Sequence, residues 1–291
     1  MTIIQPGILR PIPTQASYLT FELNGSPDSQ TIIRCLEAID VENTVLGIGS
    51  SLLETMNCAI EHMATTPTFE SPTITIPSTP TALWCWLQDD DRGKLLHRTR
   101  RLVDQLAPAL RLLGPTEAYQ YDQGRDLTGY EDGTENPEGV DAQEAAVLSS
   151  SNPDLDGSSF VAVQLWQHDL DAFAALTQLQ QDHTIGRRRS DNEELDDAPE
   201  SAHVKRTAQE SFSPEAFMLR RSMPWSEGLK GGLQFVAFGC SFYAFEVQMK
   251  RMIGLEDNIV DGLFQFSQPL STAYYWCPPA INNKLNLNVL G

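Results

Sequence analysis

Apolar and polar positions follow the same order of predicted elements twice along the chain. In the first half, alternation or short apolar runs predict four strands. These strands fall at residues 19–23, 45–48, 82–87 and 111–121. Apolar residues three or four positions apart predict one helix after the first strand, beginning near Ser26-Pro27, and another after the third strand. The first half therefore has the predicted order β-α-β-β-α-β.

The second half repeats this order. Its predicted strands fall at residues 160–166, 217–221, 233–238 and 270–277. One helix is predicted to begin at Asp169, with Leu170, Phe173, Leu176 and Leu179 on its inner face. A second helix carries apolar residues between 242 and 253. Repetition of this order predicts an α+β fold of two ferredoxin-like domains in tandem, with helices covering one face of each sheet.

Two polar segments do not fit a minimal ferredoxin-like unit. Because residues 149–159 are rich in Ser, Asn, Asp and Gly, we predict the domain boundary there, giving domains 1–150 and 151–291. Residues 128–140 and 181–206 are insertions, and the second is predicted to be a loop. Long loops inside a compact domain are often functional, so we expect the function to lie in these two segments.

Composition and charge narrow the class of protein. The 291 residues include 20 Lys and Arg against 39 Asp and Glu, for a net charge of −19. This charge argues against a nucleic-acid partner, which would need a basic surface. No apolar run approaches the ~20 residues of a membrane helix, and the start lacks a signal-peptide pattern. The five cysteines form no CxxC pair. We therefore expect a protein with reduced thiols in the cytoplasm, without membrane contact.

The first insertion contains the first candidate for chemistry. Three glycines fix an unusual backbone path around Asp132, which directly precedes Gly133 and so can lie close to a ligand. The alternative is an ordinary polar turn in which Asp132 caps a helix. His203 is the histidine of the second insertion. Its alternative is an ordinary surface or hydrogen-bonded histidine.

Two arginines close a predicted strand of the second half. Adjacent side chains on a strand point to opposite faces, so at most one of Arg220 and Arg221 points inward. An inward arginine keeps its charge and needs an anionic partner. The alternative is that both arginines face solvent.

Three motifs in fixed order carry a family resemblance. They are GxxDGTENP at residues 129–137, HxxR at 203–206 and RxSMP at 220–224. This combination resembles the dye-decolourising peroxidases, and within them the B-type. The start at residues 5–9, the segments 185–187 and 194–197, and the end at 274–279 are similar as well. The resemblance spans nearly the whole chain, and it also implies two ferredoxin-like domains, with haem in the second.

The resemblance implies a haem b cofactor and assigns roles to single residues. His203 matches the proximal iron ligand, and Asp261 lies where the family supplies the carboxylate that holds this histidine. Asp132 and Arg220 match the distal pair, and Ser222 stands where many relatives carry asparagine. Residues expected to hold the haem propionates are Asn136 and Arg187, with Arg206 as a helper.

The implied function is a haem peroxidase. It would reduce hydrogen peroxide and oxidise dyes, phenols or other one-electron donors through a ferryl haem intermediate. An alternative is a haem carrier or storage protein, or one handling haem iron, but carriage does not require Asp132 and Arg220. A further alternative is a haem-free regulatory protein that binds a small effector.

Partners and surface sites follow from the same resemblance. B-type members are often oligomeric, so we expect a homo-oligomer. Some are packed inside encapsulin shells through a C-terminal tail, and residues 281–291 could serve this purpose or be a flexible or oligomer-docking tail. Trp225 and Tyr243 are candidates for oxidation of bulky dyes at the surface, with core packing as the alternative. The negative charge favours cationic or neutral donors.

Overall fold

Strands and helices alternate along residues 4–291, the part of the chain that the computed structural model describes. The prediction that the start of the chain lacks a signal peptide involves residues 1–3, which lie outside this range. The strands are β1 (Gln15–Leu23), β2 (Thr44–Ile48), β3 (Phe69–Glu70), β4 (Thr75–Ile76), β5 (Leu83–Asp89), β6 (Leu110–Tyr119), β7 (Ser159–His168), β8 (Leu219–Arg220), β9 (Met223–Glu227), β10 (Lys230–Gly239), β11 (Ser267–Cys277), β12 (Ala280–Ile281) and β13 (Lys284–Leu285). The α-helices are α1 (Ser29–Glu37), α2 (Ser50–Thr55), α3 (Arg92–Leu106), α4 (Gly139–Ala146), α5 (Leu170–Ala175), α6 (Gln178–Ile185), α7 (His203–Arg206) and α8 (Tyr243–Met252).

Each half forms an antiparallel four-stranded sheet with the same strand order. In the first half the order is β2-β5-β1-β6, and in the second half it is β11-β7-β10-β9, with β8 also pairing with β10. When the four strands of each half are numbered 1 to 4 in chain order, both sheets have the strand order 4-1-3-2. The α+β fold with two ferredoxin-like units is therefore confirmed, while the domain bounds at residue 150 stay a prediction.

The two sheets join at their edges and enclose an aromatic core. Ile48 pairs with Trp276, and Ala118 pairs with Trp225, so the strands close into a ring. Side chains alternate across a strand. Trp84 and Trp86 of β5 therefore point between the sheets, where both stack on Tyr18.

Helices cover the outer faces of both sheets. Ile32 and Leu36 of α1 belong to one large apolar cluster with Leu83 and Leu87, which are residues of β5. On the second sheet, Phe242, the residue before α8, stacks on Tyr274 of β11 at 3.9 Å between ring centroids. Burial of this apolar surface is the main stabilising contribution to such a layered fold.

Several predicted boundaries were wrong for local reasons. Asp28, rather than Ser26, caps α1 by accepting the Thr31 backbone N–H. The helix predicted from Asp169 through Leu179 is two helices, because Thr177 forms a capping box with Gln180 and begins α6. The segment predicted as a loop contains most of α6 and all of α7. No helix among residues 4–291 is both long and apolar enough to cross a membrane.

Candidate active site

A cavity lies between the second sheet and α8. Alternate residues of β7 and β10 face it, including Trp166, Leu233 and Phe235, and α8 supplies Phe245 and Met249 on the opposite side. The cavity has a volume of about 90 Å³ and is partly open to solvent. Mainly apolar walls with a few convergent polar groups are typical of small-molecule and cofactor sites.

Asp132 and Arg220 enter this cavity from different segments. Asp132 belongs to the glycine-rich loop before α4, and Arg220 ends the short strand β8. The surrounding protein removes water from Asp132, which raises the pKa of its carboxyl group although the charge of Arg220 opposes this shift. Burial lowers the pKa of Arg220, but an arginine keeps its charge at neutral pH. The two groups are an acid–base candidate beside a fixed positive charge.

His203 lines the same cavity from the first turn of α7. Its Nδ1 lies 2.8 Å from Oδ2 of Asp261, a fully buried carboxylate. The other carboxylate oxygen of Asp261 accepts the Leu263 backbone N–H at 2.8 Å. Asp261 therefore fixes the orientation of the ring. The second ring nitrogen, Nε2, makes no hydrogen bond within the described residues and is available to a ligand.

Arg221 resolves the choice between the two adjacent arginines. Its guanidinium turns away from the cavity and donates to the backbone oxygens of Ile8 and Leu9, at 3.1 and 3.3 Å. Arg220, by contrast, lines the cavity, and its Nε has no hydrogen-bond partner. The placement follows from the opposite directions of adjacent side chains on a strand.

The remaining predicted site residues lie elsewhere or are bound to protein groups. Ser222 is not part of the cavity lining, and its hydroxyl accepts the Val236 backbone N–H at 3.3 Å. Asn136 bonds to the backbone of Arg220 through both ends of its amide. Arg187 forms ion pairs with Glu135 and Glu194, and Arg206 forms a two-point ion pair with Asp257. The propionate-binding roles of these residues stay predictions.

A buried network beside the cavity was missed by sequence reasoning. His168 lines the cavity, and its Nε2 lies 3.0 Å from Oδ2 of Asp126 while its Nδ1 lies 2.6 Å from the Ser267 hydroxyl. Burial alone would raise the pKa of Asp126, but hydrogen bonds from His168 and Thr128 lower it. No motif marks these residues, because they converge from three distant segments only in the folded chain.

The two candidate surface aromatic residues differ in exposure. Trp225 is buried, and its indole N–H donates to the Trp166 backbone oxygen at 2.9 Å. It is therefore a core residue. Tyr243 is partly exposed, and its hydroxyl donates to the Pro214 backbone oxygen at 2.8 Å.

Comparison with known proteins identifies the family. The family model "Dyp-type peroxidase, C-terminal" matches residues 123–282, which is more than half of the chain and includes the whole cavity. The chain belongs to the Dyp-type peroxidase family. The resemblance found in the sequence is thereby confirmed.

Curated relatives of this Dyp-type chain are dye-decolorizing peroxidases. That of Mycolicibacterium paratuberculosis is 29% identical over 213 residues, which cover 71% of this chain and 60% of the relative. That of Rhodococcus erythropolis is 31% identical over 185 residues, which cover 62% of this chain and 54% of the relative. The matched part of the chain thus spans less than two thirds of these relatives.

Solved structures support the fold over almost the full length. A Dyp-type peroxidase protein from Shewanella oneidensis has a TM-score of 0.90 at 24% identity, covering 100% of this chain and 98% of that one. A variant of DypB from Rhodococcus jostii RHA1, solved in complex with heme, has a TM-score of 0.86 at 24% identity. It covers 93% of this chain and 94% of its own.

Proposed function

We propose that this Dyp-type chain is a haem b-dependent peroxidase that reduces hydrogen peroxide and oxidises dyes, phenols or other one-electron donors. The observation that carries the proposal is the convergence of Asp132, Arg220 and the Asp261-held His203 on one cavity. A haem carrier needs His203, but it needs neither the acid–base group Asp132 nor the fixed positive charge of Arg220. Family membership and the heme complex of the related DypB support the same cofactor.

The donor set of the cavity fits haem. Its walls are mainly apolar, as a porphyrin requires, and His203 has one free ring nitrogen directed away from its carboxylate partner. No group of three or more His, Cys, Asp or Glu side chains within residues 4–291 could hold a metal ion. Haem iron needs only one protein ligand here because the porphyrin supplies four nitrogens.

The side chains divide the work of proton handling and charge stabilisation. When bound, the haem supplies the two electrons that split the peroxide and recovers them one at a time from reducing donors. The ionised carboxylate of Asp132 accepts the proton from one peroxide oxygen and returns it to the other. Arg220 stabilises the negative charge that develops on the departing oxygen. Asp261 makes His203 a stronger electron donor and fixes its ring orientation.

A pair of matched substitutions tests the function. Arg220→Leu should retain haem and lower kcat/KM for peroxide by orders of magnitude, because a single preorganised charge contributes about 10²- to 10³-fold. Arg100→Leu removes an exposed arginine of α3 in the first half and should leave this constant within a few-fold of wild type. Peroxide-dependent dye bleaching by the haem-loaded proteins measures both. Equal rates in wild type and Arg220→Leu would contradict the proposal.

The proposal extends to partners and cellular location. The substrates are peroxide and a reducing donor, and the chain forms a homo-oligomer in the cytoplasm, where its five free cysteines stay reduced. Encapsulin packaging through residues 281–291 stays a prediction. Leu287 and Leu290 are buried against the body of the molecule, so this segment would have to detach first. Deleting residues 281–291 should then abolish co-purification with a shell protein, and unchanged packaging would reject this role.

A further inference from the structure

Asn136 joins the two segments that carry Asp132 and Arg220. Its Oδ1 accepts the Arg220 backbone N–H at 2.8 Å, and its Nδ2 donates to the Arg220 backbone oxygen at 2.9 Å. The side chain thus bonds to Arg220 as a neighbouring strand would. On the other side, Arg220 pairs with Ala237 of β10. The backbone of Arg220 is therefore held from both sides.

Gln209 makes a second connection between the same two segments. This buried side chain donates to the Glu135 backbone oxygen at 2.8 Å and accepts the Met218 backbone N–H at 3.2 Å. Asn136 and Gln209 together form four hydrogen bonds. Three of them reach the backbone of Met218 or Arg220, and the fourth joins Gln209 to the Glu135 oxygen. All four depend on side-chain amides, which have a donor and an acceptor and can bond to N–H and C=O groups alike.

The connection matters because Asp132 and Arg220 are not bonded directly to each other. Among the described residues, no direct hydrogen bond joins the two side chains, and their segments are far apart in the chain. Asp132 lies four residues before Asn136 in a loop whose Gly133 has a φ of 78°. Asn136 donates its backbone N–H to the Gly133 oxygen at 2.9 Å, so the amide clamp and the Asp132 turn form one unit.

We propose that Asn136 and Gln209 are positioning residues that set the distance between the acid–base group Asp132 and the charge of Arg220. This inference rests on the proposed peroxidase function. It assigns Asn136 a role other than binding a haem propionate, and it adds Gln209, which no motif marks. A displacement of about 1 Å in a reacting group can cost about 10²-fold in rate, so loss of the clamp should be visible in catalysis.

The test combines amide exchange with kinetics on the haem-loaded full chain. Asn136→Ala should speed hydrogen exchange at the Arg220 amide, leave the Soret band intact and lower kcat/KM for peroxide about 10- to 100-fold. If the alanine variant folds poorly, Asn136→Asp replaces it in the test. This variant keeps the side-chain size but loses the amide donor, so it should change amide exchange and kcat/KM in the same direction. Gln209→Ala should expose the Met218 amide. Asn24→Ala is the control, because Asn24 also donates to a backbone oxygen, that of Ala107, in the first half.

A double-mutant cycle separates positioning from general destabilisation. If Asn136 acts through Arg220, Asn136→Ala should have little further effect on kcat/KM in an Arg220→Leu background. The same fold-loss in both backgrounds would overturn the proposal, as would a wild-type kcat/KM in Asn136→Ala once its Arg220 amide exchanges freely. Wild-type holoprotein that fails to oxidise dyes, phenols and other one-electron donors with peroxide would instead overturn the peroxidase function, and this role with it.

Discussion

Asp132 is the residue whose electrostatic surroundings bear most directly on catalysis. Loss of water raises the pKa of its carboxyl group, the positive charge of Arg220 lowers it, and the negative charge of Asp126 raises it. An acid that must be ionised to accept a proton becomes inactive as the pH falls through its pKa. The acid limb of kcat/KM for peroxide should therefore lie at higher pH than for an ordinary aspartate.

Asp126→Asn tests this electrostatic account. The amide oxygen can still accept the Thr128 hydrogen bonds, and the amide NH2 can donate to Nε2 of His168 in its other tautomer, but the substitution removes the charge that raises the pKa of Asp132. The acid limb should move to lower pH, measured as the pH dependence of kcat/KM for peroxide. Asp104→Asn changes the charge equally on α3 of the first half and serves as the control. An unmoved limb, or one displaced to higher pH, would show that Asp126 does not act on Asp132 in this way.

Single-residue roles were predictable only where a motif marks them. GxxDG, HxxR and RxSMP point to Asp132, His203 and Arg220, and the structure brings these three to one cavity. The sequence could not show that Asn136 bonds to the Arg220 backbone, because the residue type alone does not reveal whether an amide side chain binds a ligand or a strand. The carboxylate that neutralises Arg206 likewise comes from a distant part of the chain.

At the scale of elements, the turn between α6 and the following segment supports the helix that carries His203. Gly186 ends α6 with a φ of 96°, in the left-handed region that favours glycine. A Cβ atom there would lie 2.3 Å from Cγ2 of Val204 and 3.1 Å from Cβ of Ala202. The close packing of these two segments therefore requires glycine.

Gly186→Ala should destabilise the protein and weaken haem binding. The unfavourable φ costs about 1 kcal/mol or more, and the contact with Val204 displaces the helix of His203. Thermal unfolding and haem titration measure the two effects. Gly25→Ala is the matched control, since Gly25 has a φ of 68° but no neighbour within 4 Å, so only the backbone cost applies. Equal haem affinity in both variants would contradict the proposed support of His203.

Element types were easier to predict than element bounds. Periodicity predicted the four main strands of the first half and three of the second because buried faces impose it. The strand predicted at residues 217–221 overlaps only the short β8, and β9 was missed. Periodicity extended one helix through Leu179, although Leu179 is exposed and belongs to α6, because the break depends on the Thr177 capping box. It also missed α4, a short helix that begins at the end of the first insertion and has a small apolar face.

At the scale of the whole molecule, the net charge of −19 should select among donors. A negative surface attracts cationic donors and repels anionic ones, and salt screens both effects. KM for a cationic dye should therefore rise with ionic strength, and KM for an anionic dye of similar size should fall. Steady-state kinetics in a salt series measure this, with a neutral phenol as the control. Parallel changes for both dyes would exclude surface electrostatics as the cause.

The repeat of β-α-β-β-α-β was enough to predict two ferredoxin-like units, but not how they join. Ring closure depends on two single pairs, Ile48 with Trp276 and Ala118 with Trp225. Such edge contacts leave no periodic signal in the sequence. The sequence also does not predict the aromatic core between the sheets. Because β5 is apolar on both faces, its residues form one continuous apolar run in which the two faces cannot be distinguished.

The most direct test of the central claim is the visible spectrum of the haem-loaded protein before and after addition of peroxide, in wild type and His203→Ala. The account predicts a strong Soret band that shifts on addition of peroxide in wild type and is lost or altered in His203→Ala. A wild-type Soret band that does not respond to peroxide would indicate haem carriage without catalysis. Absence of a Soret band after haem addition would contradict the assignment of the cavity to haem.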